Sequence, residues 1–304
     1  MVSGSPPAVT HFEAVTQPPE AASGAGEGVG FRNDAWQRMT VPVRLSGAGP
    51  FHFLVDTGSD RTSVSRELAG RVGLREAAGA TLHSATGASA VRMVRVPELL
   101  LSRRAVRQID APMLDAADMG ADGILGIDSL RAHRVLFDFA ARTLSITSSQ
   151  APVGRDEKDA IVVRARRREG RLVITDAEAG GARVDVVLDT GSQYSVGNAA
   201  LRRLPERRGE VQSEGPLDLV SVTGAKLRGE LAFVRRLDIG GARLENLAVV
   251  FADAHTFRLL KLESRPALLL GMSGLRSFDK VSIDFESRKL RLVVPRPGTR
   301  RPGA

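Results

Sequence analysis

The sequence predicts an all-β protein that consists of two similar halves and little helix. Short apolar runs alternate with glycine-rich turns along the chain, which contains 31 glycines. Several short motifs also occur twice, in the same order, in its first and second parts. Many short strands joined by tight turns are typical of barrels and sandwiches. With 304 residues and 42% hydrophobic content, the chain is long enough to form two small cores.

The internal repeat is the strongest signal of domain organisation. The first markers are 133 residues apart and the later ones are further apart, so the second copy contains short insertions that loops can accept. We assign the largest insertion to residues 251–266. The repeated markers are Asp56-Thr-Gly-Ser with Asp189-Thr-Gly-Ser, Ser84-Ala-Thr-Gly87 with Ser221-Val-Thr-Gly224, and Ile124-Leu-Gly126 with Leu269-Leu-Gly271.

These markers define the predicted boundaries. Half 1 comprises residues 35–149, a linker comprises residues 150–159, and half 2 comprises residues 160–295. Residues 1–34 are rich in Pro, Gly, Ala and Ser and lack hydrophobic periodicity, so we expect a disordered leader or tether. Residues 296–304 are predicted to form a basic, disordered tail.

Each half begins with a predicted hairpin that leads into an Asp-Thr-Gly-Ser motif. Short helices are expected after Ser65 and after each Leu-Gly pair, where Asp128 and Ser273 have the chemistry of N-cap residues. We therefore give Asp128 no catalytic role. A further hairpin, Ile161–Arg168 with Arg171–Thr175, is predicted to expose on one face or at its turn the arginines Arg164, Arg166, Arg167 and Arg168.

Composition and charge limit the chemistry. The chain has no cysteine, which excludes disulfides, thiolate metal sites and a cysteine nucleophile. Its five histidines lack metal-binding spacing, and we expect neither a metal nor a cofactor. The net charge of +8 comes mostly from arginines scattered over both halves, so nucleic-acid or anionic-lipid binding is the weaker alternative to a solvated basic surface.

We expect a soluble chain whose compartment the sequence does not determine. The first residues lack the basic start and apolar stretch of a secretory signal, and no run is long enough for a membrane-spanning helix. A start site placed too far downstream would hide an export signal, so a periplasmic location stays open.

An Asp-Thr-Gly-Ser motif directly after a strand suits acid–base chemistry. The aspartate leaves the strand end at a tight turn, and the glycine lets the backbone bend and a second loop approach. The threonines are expected to hydrogen-bond to the facing loop, and the serines are expected to donate to the carboxylates. The candidate catalytic residues are Asp56 and Asp189, and their supporting residues are Thr57, Gly58, Ser59, Thr190, Gly191 and Ser192.

If the two halves pack about a pseudo-twofold axis, the two aspartates meet. Two full charges about 3 Å apart would repel by roughly 5 kcal/mol at an effective dielectric constant of about 20. The pair should therefore share one proton, so that one carboxyl acts as base towards water and the other as acid towards a carbonyl oxygen. This chemistry hydrolyses a peptide bond without a covalent intermediate, and hydrogen bonds from Ser59 and Ser192 would favour an acidic optimum.

These residues resemble the retropepsin-like aspartic proteases, and in particular bacterial aspartyl proteases of this type, with both halves fused in one chain. The resemblance rests on the two Asp-Thr-Gly-Ser motifs, on Asp60-Arg61-Thr62 and on the two Leu-Gly elements, and it covers about residues 38 to 295. It implies two β-barrel halves with a cleft between them and the Leu-Gly elements behind the catalytic loops. It also implies flaps over the substrate, with the candidates Ser84, Thr86, Gly87, Ser221, Thr223 and Gly224.

Two departures from known relatives qualify the resemblance. The only tyrosine is Tyr194, so the flap tyrosine of pepsin-like enzymes is missing, which favours the retropepsin side. Neither flap candidate has the glycine-rich tip of the viral enzymes. Retropepsins usually pair two identical chains. We expect a monomer in which the halves pair with each other, with pairing between chains as the alternative.

The resulting hypothesis is an aspartic endopeptidase that acts on polypeptides. The alternative is a catalytically inactive module of the same fold that binds peptides.

Overall fold

Strands make up most of the described part of the chain, which in this computed structural model comprises residues 28–30, 32–33, 39–101, 104–206 and 211–295. The strands of half 1 are β1 (Gly28–Gly30), β2 (Arg32–Asn33), β3 (Met39–Leu45), β4 (Ala48–Val55), β5 (Ser63–Ser65), β6 (Arg75–Ser84), β7 (Gly87–Leu101), β8 (Arg104–Leu114), β9 (Gly123–Leu125), β10 (His133–Asp138) and β11 (Thr143–Ser148). Those of half 2 are β12 (Ile161–Arg168), β13 (Arg171–Ile174), β14 (Ala177–Ala179), β15 (Ala182–Arg183), β16 (Asp185–Leu188), β17 (Ser195–Gly197), β18 (Val211–Val220), β19 (Lys226–Ile239), β20 (Ala242–Phe251), β21 (Ala267–Leu270), β22 (Lys280–Asp284) and β23 (Lys289–Val293).

The described helices are all short. They are α1 (Arg66–Arg71), α2 (Ala116–Met119), α3 (Ile127–Leu130), α4 (Ala199–Glu206), α5 (His255–Leu259) and α6 (Met272–Leu275), with one 3₁₀ turn at Arg155–Glu157 inside the predicted linker. The prediction of an all-β fold with little helix is confirmed.

The sheet of half 1 has the strand order β2-β3-β4-β9-β5-β8-β7-β6, and an additional β3–β7 pairing joins strands that are far apart in this order. The pairs β4–β9 and β5–β8 are parallel. The last three residues of β4 are all buried, and Phe53 and Val55 are fully buried. The strand that leads to Asp56 is therefore fixed by packing on both faces.

Half 2 repeats this arrangement, as the repeated motifs predict. Its strands follow the order β13-β16-β21-β17-β20-β19, and β16–β21 and β17–β20 are parallel. Register agrees as well, because Leu54 pairs with Ile124 in half 1 and Val187 pairs with Leu269 in half 2. Each Asp-Thr-Gly-Ser motif thus follows the corresponding strand in the sheet of its own half.

The last strands of the two halves form one shared sheet with the order β1-β11-β10-β22-β23-β12. Strand β10 of half 1 pairs antiparallel with β22 of half 2 along five residue pairs. Phe137 and Phe285 are buried beneath this sheet, and Lys280 forms a 2.8 Å ion pair with Asp138 across it. Continuous main-chain hydrogen bonding therefore connects the halves below the cleft.

The predicted helices form, but two of their caps differ from expectation. Ser65 caps α1 by accepting a hydrogen bond from the Leu68 N–H at 3.0 Å. Helices α3 and α6 each begin two residues earlier than predicted, so Gly126 and Gly271 are the N-cap residues and provide no side-chain cap. Asp128 therefore is not an N-cap; its carboxylate accepts hydrogen bonds from the N–H and hydroxyl of Thr62.

The prediction of disorder over residues 1–34 needs a correction at its end. Gly28–Gly30 pairs with β11 and Arg32–Asn33 pairs with β3. Glycine-rich segments can join a sheet because ladder hydrogen bonds involve only the backbone. Residues 1–27 and the predicted tail at residues 296–304 lie outside the described residues. The domain boundaries at residues 35–149, 150–159 and 160–295 remain predictions.

Two further expectations concern local segments. The hairpin Ile161–Arg168 with Arg171–Ile174 is present, and Arg164 and Arg166 are exposed on it as predicted. Residues 251–266, the predicted insertion, contain α5 where half 1 has the shorter α2. None of the helices in the described ranges has the length and apolarity needed to cross a membrane.

Candidate active site

The two aspartates follow buried strands and are held at their main chain by the repeated Leu-Gly elements. Asp56 follows β4, and its N–H donates to the Leu125 carbonyl at 3.0 Å. Asp189 follows β16, and its N–H donates to the Leu270 carbonyl at the same distance. The Leu-Gly elements therefore lie directly behind the aspartate loops, which is the placement that the family resemblance implies.

The threonines next to the aspartates connect the two loops. The Thr57 N–H donates to Thr190 Oγ1 at 3.0 Å, and the Thr190 N–H donates to Thr57 Oγ1 at 3.1 Å. Thr190 Oγ1 in turn donates to the Val55 carbonyl at 2.6 Å. Both threonines are buried, so these bonds form away from water and fix the spacing of the loops. Both loops belong to the same chain.

The glycines allow each aspartate to lie over the opposite loop. The Gly58 N–H donates to Asp56 Oδ1 at 2.7 Å. A Cβ atom on Gly58 would lie 2.6 Å from Asp189 Oδ1, and one on Gly191 would collide with the Asp56 carboxyl group. Any larger residue would push the carboxyl groups away, so close approach requires glycine at both positions.

The environment of the pair favours a bound proton on Asp189. Burial is the main cause, followed by the nearby Asp56 carboxylate, and together they raise the pKa of Asp189 from 3.8 to about 7. Arg171 and the N–H groups of Gly191 and Ser192 act in the opposite direction. The carboxyl is half-buried at the floor of a cleft, so it is desolvated but still accessible.

The serines of the two motifs do not act as expected. Ser59 Oγ donates to the Arg61 carbonyl at 2.9 Å, and Ser192 Oγ donates to the Tyr194 carbonyl at 2.7 Å. The expectation that these hydroxyls donate to the carboxylates is wrong, because each loop curls back and presents a closer main-chain acceptor two residues later. The hydroxyls therefore provide no argument for an acidic optimum.

Arg171 is a residue of the site that the sequence reasoning missed. Its side chain is 5% exposed, its Nε donates to the Gly58 carbonyl at 2.8 Å, and its Nη2 lies 3.4 Å from Asp60 Oδ2. An arginine of half 2 therefore holds the aspartate loop of half 1. One signal was available: Arg38 precedes Asp56 by the same interval that separates Arg171 from Asp189.

The flap candidates form the turns of two hairpins that meet above the aspartates. Ser84–Gly87 joins β6 to β7, and Ser221–Gly224 joins β18 to β19. Thr86 Oγ1 donates to Ser221 Oγ at 3.3 Å. Ser84, Thr86 and Ser221 line the cleft. The side-chain-poor or outward positions Gly87, Thr223 and Gly224 are not among its lining residues.

The first hairpin also rests on α5. The His255 N–H donates to the Ala85 carbonyl at 2.7 Å, and His83 Nδ1 lies 3.1 Å from His255 Nε2 with the two rings stacked. The two histidines are 172 residues apart in the chain, so no local sequence pattern predicts this contact.

The cleft between the halves has a volume of about 580 Å³. Its floor carries Asp56 and Asp189, and most of its wall is apolar. Apolar side chains from both halves line it, including Leu82, Leu114, Ile124, Leu219, Leu227 and Leu269. No group of three or more metal-ligating side chains occurs within the described ranges. A groove with an apolar wall and paired carboxyls suits an extended peptide whose backbone crosses the aspartates.

Comparison with known families agrees with this architecture. The family model described as aspartyl protease matches residues 41–129 and 175–273, together more than half of the chain. The chain belongs to the aspartyl protease family. The two matched regions of this aspartyl protease fall one in each half and contain Asp56 and Asp189 respectively, as expected for a tandem retropepsin-like protein. A search of curated proteins found no significant match.

Proposed function

We propose that this aspartyl protease is an active aspartic endopeptidase in which Asp56 and Asp189 together activate a water molecule. The observation that carries the proposal is the reciprocal hydrogen bonding of Thr57 and Thr190, which holds the two carboxyls side by side at the floor of an open cleft. Two carboxyls in such a place can share one proton.

The surroundings support different roles for the two carboxyls. Asp56 accepts a hydrogen bond from the Gly58 N–H, and the raised pKa of the neighbouring Asp189 favours the protonated form of Asp189. In the proposed mechanism Asp56 takes a proton from water while the water oxygen attacks the peptide carbonyl carbon. Asp189 donates its proton to the carbonyl oxygen, which gives a tetrahedral diol. As the C–N bond breaks, Asp56 passes the proton taken from water to the leaving nitrogen, and Asp189 regains a proton from a diol hydroxyl. The proton belongs to the pair, so these roles describe one microstate.

The pH range of activity follows from the same observation. The mechanism needs one proton on the pair, and the raised pKa of Asp189 means that this proton leaves as the pH rises through about 7. We therefore propose activity at acidic to neutral pH and its loss in alkaline solution.

The experiment exchanges the two aspartates separately. Asp56→Asn and Asp189→Asn should each lower kcat/KM for a peptide library to background, because one carboxyl cannot serve as both acid and base. Asp110→Asn is the matched control, since Asp110 lies in an exposed ion pair with Arg95 outside the cleft. Retained hydrolysis in either active-site variant, measured by mass spectrometry between pH 3 and 8, would rule out shared catalysis.

The alternative remains a peptide-binding module without activity. The apolar cleft supports this alternative equally well, because it would hold an extended peptide whether or not the bond is cut. Peptide binding without cleavage by the unmodified chain over the whole pH range would favour it. In both proposals the binding partner is a polypeptide. Neither proposal involves a metal or a nucleic acid.

A further inference from the structure

The two ends of the cleft differ in charge although the halves share one fold. Asp118 on α2 lines the cleft in half 1. Thr256 has the corresponding position on α5 in half 2, since each residue directly precedes the buried anchor of its helix, Met119 or Phe257. Thr256 also lines the cleft. A carboxylate at one end thus corresponds to a neutral hydroxyl at the other.

The Asp118 carboxylate is half-buried beneath a flap hairpin. A Cβ atom on Gly224, at the turn between β18 and β19, would lie 2.7 Å from Asp118 Oδ2. Gly224 has a φ of +77°, which suits glycine, so the turn can pass directly over the carboxylate. A side chain of a bound peptide at this end would lie between the apolar wall and this carboxylate.

No cation of the described chain neutralises Asp118. Within the described ranges its side chain forms neither an ion pair nor a hydrogen bond. Among the residues that the structure describes, Arg171 is the only arginine or lysine that lines the cleft, and it is bound to Gly58 and Asp60. A carboxylate that has no ionic partner in the described chain can pair with an incoming cation, and partial burial strengthens that attraction relative to bulk water.

A second carboxylate on this side of the cleft is less suited to this role. Asp218 on β18 lines the cleft but is exposed, and in the β18–β19 ladder it is directly opposite Arg228. An exposed carboxylate beside an arginine attracts a further cation weakly, because solvent and the neighbouring charge both screen it.

We propose that Asp118 determines specificity by binding a lysine or arginine side chain of the substrate on one side of the cleaved bond. This inference rests on the proposed endopeptidase function and names a substrate class for it, namely peptides with a basic residue near an apolar cleavage site. The asymmetry between Asp118 and Thr256 also fixes the direction in which a peptide lies across two otherwise similar halves.

The test uses peptides that differ at a single position, with lysine, norleucine or glutamate at each of the four positions on either side of the bond. At one position, kcat/KM for the lysine peptide should exceed that for the norleucine peptide about tenfold. In Asp118→Asn this ratio should fall to about two or less, while cleavage of the norleucine peptide continues. Added salt should reduce the wild-type ratio, because the interaction is electrostatic.

Asp115→Asn is the matched control. It removes one negative charge three residues away, where the carboxylate faces Arg66 outside the cleft, and it should leave the lysine preference unchanged. Thr256→Asp should create a second lysine preference on the other side of the cleaved bond. A wild-type enzyme without lysine preference, or an equal preference in Asp118→Asn, would overturn the proposal.

Failure of the proposed function has a different signature. If the wild-type chain cleaves no peptide, fluorescence polarisation with labelled lysine and norleucine peptides replaces the kinetic assay. Tighter binding of the lysine peptide that is lost in Asp118→Asn supports the role of Asp118 even though the endopeptidase proposal fails. Equal binding of both peptides contradicts the role of Asp118.

Discussion

The Thr190 side chain makes two hydrogen bonds that join the aspartate loops. Its hydroxyl accepts from the Thr57 N–H and donates to the Val55 carbonyl, and both partners are buried. Thr190→Val keeps the shape of the side chain but leaves these groups unsatisfied. We expect a loss of about 1–3 kcal/mol in the free energy of unfolding. We also expect kcat to fall about a hundredfold because the carboxyls lose their alignment.

Thr190→Ser is the control for this prediction, because it retains the hydroxyl and removes one methyl group. Urea unfolding and peptide cleavage, measured side by side, separate the two effects. If the valine variant is as stable and as active as the serine variant, the hydrogen bonds across the loops do not support the site.

Asp189 makes the stability of the folded chain depend on pH. Its pKa is raised from 3.8 to about 7, so between these values the folded protein holds a proton that the unfolded chain has released. The free energy of unfolding should therefore fall as the pH rises through this range, by a few kcal/mol in total. Asp189→Asn removes the effect. It should match the wild type near pH 4 and be more stable than the wild type at pH 8.

Urea unfolding at the two pH values measures this difference, with Asp110→Asn as the control on an exposed carboxyl. A difference between wild type and Asp189→Asn that is the same at pH 4 and pH 8 would show that Asp189 has no raised pKa.

Among the secondary-structure elements, the β6–β7 hairpin depends on a contact that should weaken in acid. It rests on α5 through the His83–His255 pair and the Ala85 carbonyl. Burial, the neighbouring His83 and Arg258 lower the pKa of His255 below 6.5. Asp253, the nearest acid on this segment, is engaged by Arg258. The contact is therefore fully present above pH 6.5 and is lost as the pH falls through the lowered pKa.

The absence of cysteine in the chain allows this prediction to be measured with two introduced labels. Spin labels at Ala88→Cys on β7 and Glu263→Cys after α5 should give a short, narrow distance distribution at pH 7.5. The distribution should become longer and broader at pH 5. With His255→Ala it should be broad at both pH values. A distance that does not change with pH in the otherwise unmodified chain would contradict the role of the histidine pair.

The sequence predicts the strands and helices near the aspartates well, because the repeated motifs indicate where these elements begin and end. Asp56 and Asp189 follow strands of equal register, and Ser65 starts a helix, since these features depend on short-range patterns. The sequence predicts contacts between remote segments poorly. The reach of Arg171 to Gly58 and the position of Asp118 under a turn of the other half depend on how the halves pack. The serine hydroxyls were misassigned because a local acceptor competes with the carboxylates.

In the whole molecule, the halves are joined at two levels. The shared sheet connects β10 with β22 below the cleft, and the threonines and Arg171 connect the aspartate loops at the cleft floor. Both connections lie within one chain. A second chain is therefore not needed to bring Asp56 and Asp189 together, and the monomer stays a prediction.

A mixing experiment tests pairing within the chain against pairing between chains. The Asp56→Asn and Asp189→Asn variants each lack a different member of the pair. The two variants are mixed in equal amounts, unfolded together and then refolded. If both carboxyls of a site come from one chain, every molecule has an incomplete site and the mixture stays inactive. If sites form between two chains, half of the dimers are mixed and each of these has one complete site, so about a quarter of wild-type activity should return. Wild-type protein that has been unfolded and refolded in the same way defines full activity. Since the Thr57 and Thr190 hydrogen bonds join loops of the same chain, we expect no recovery of activity.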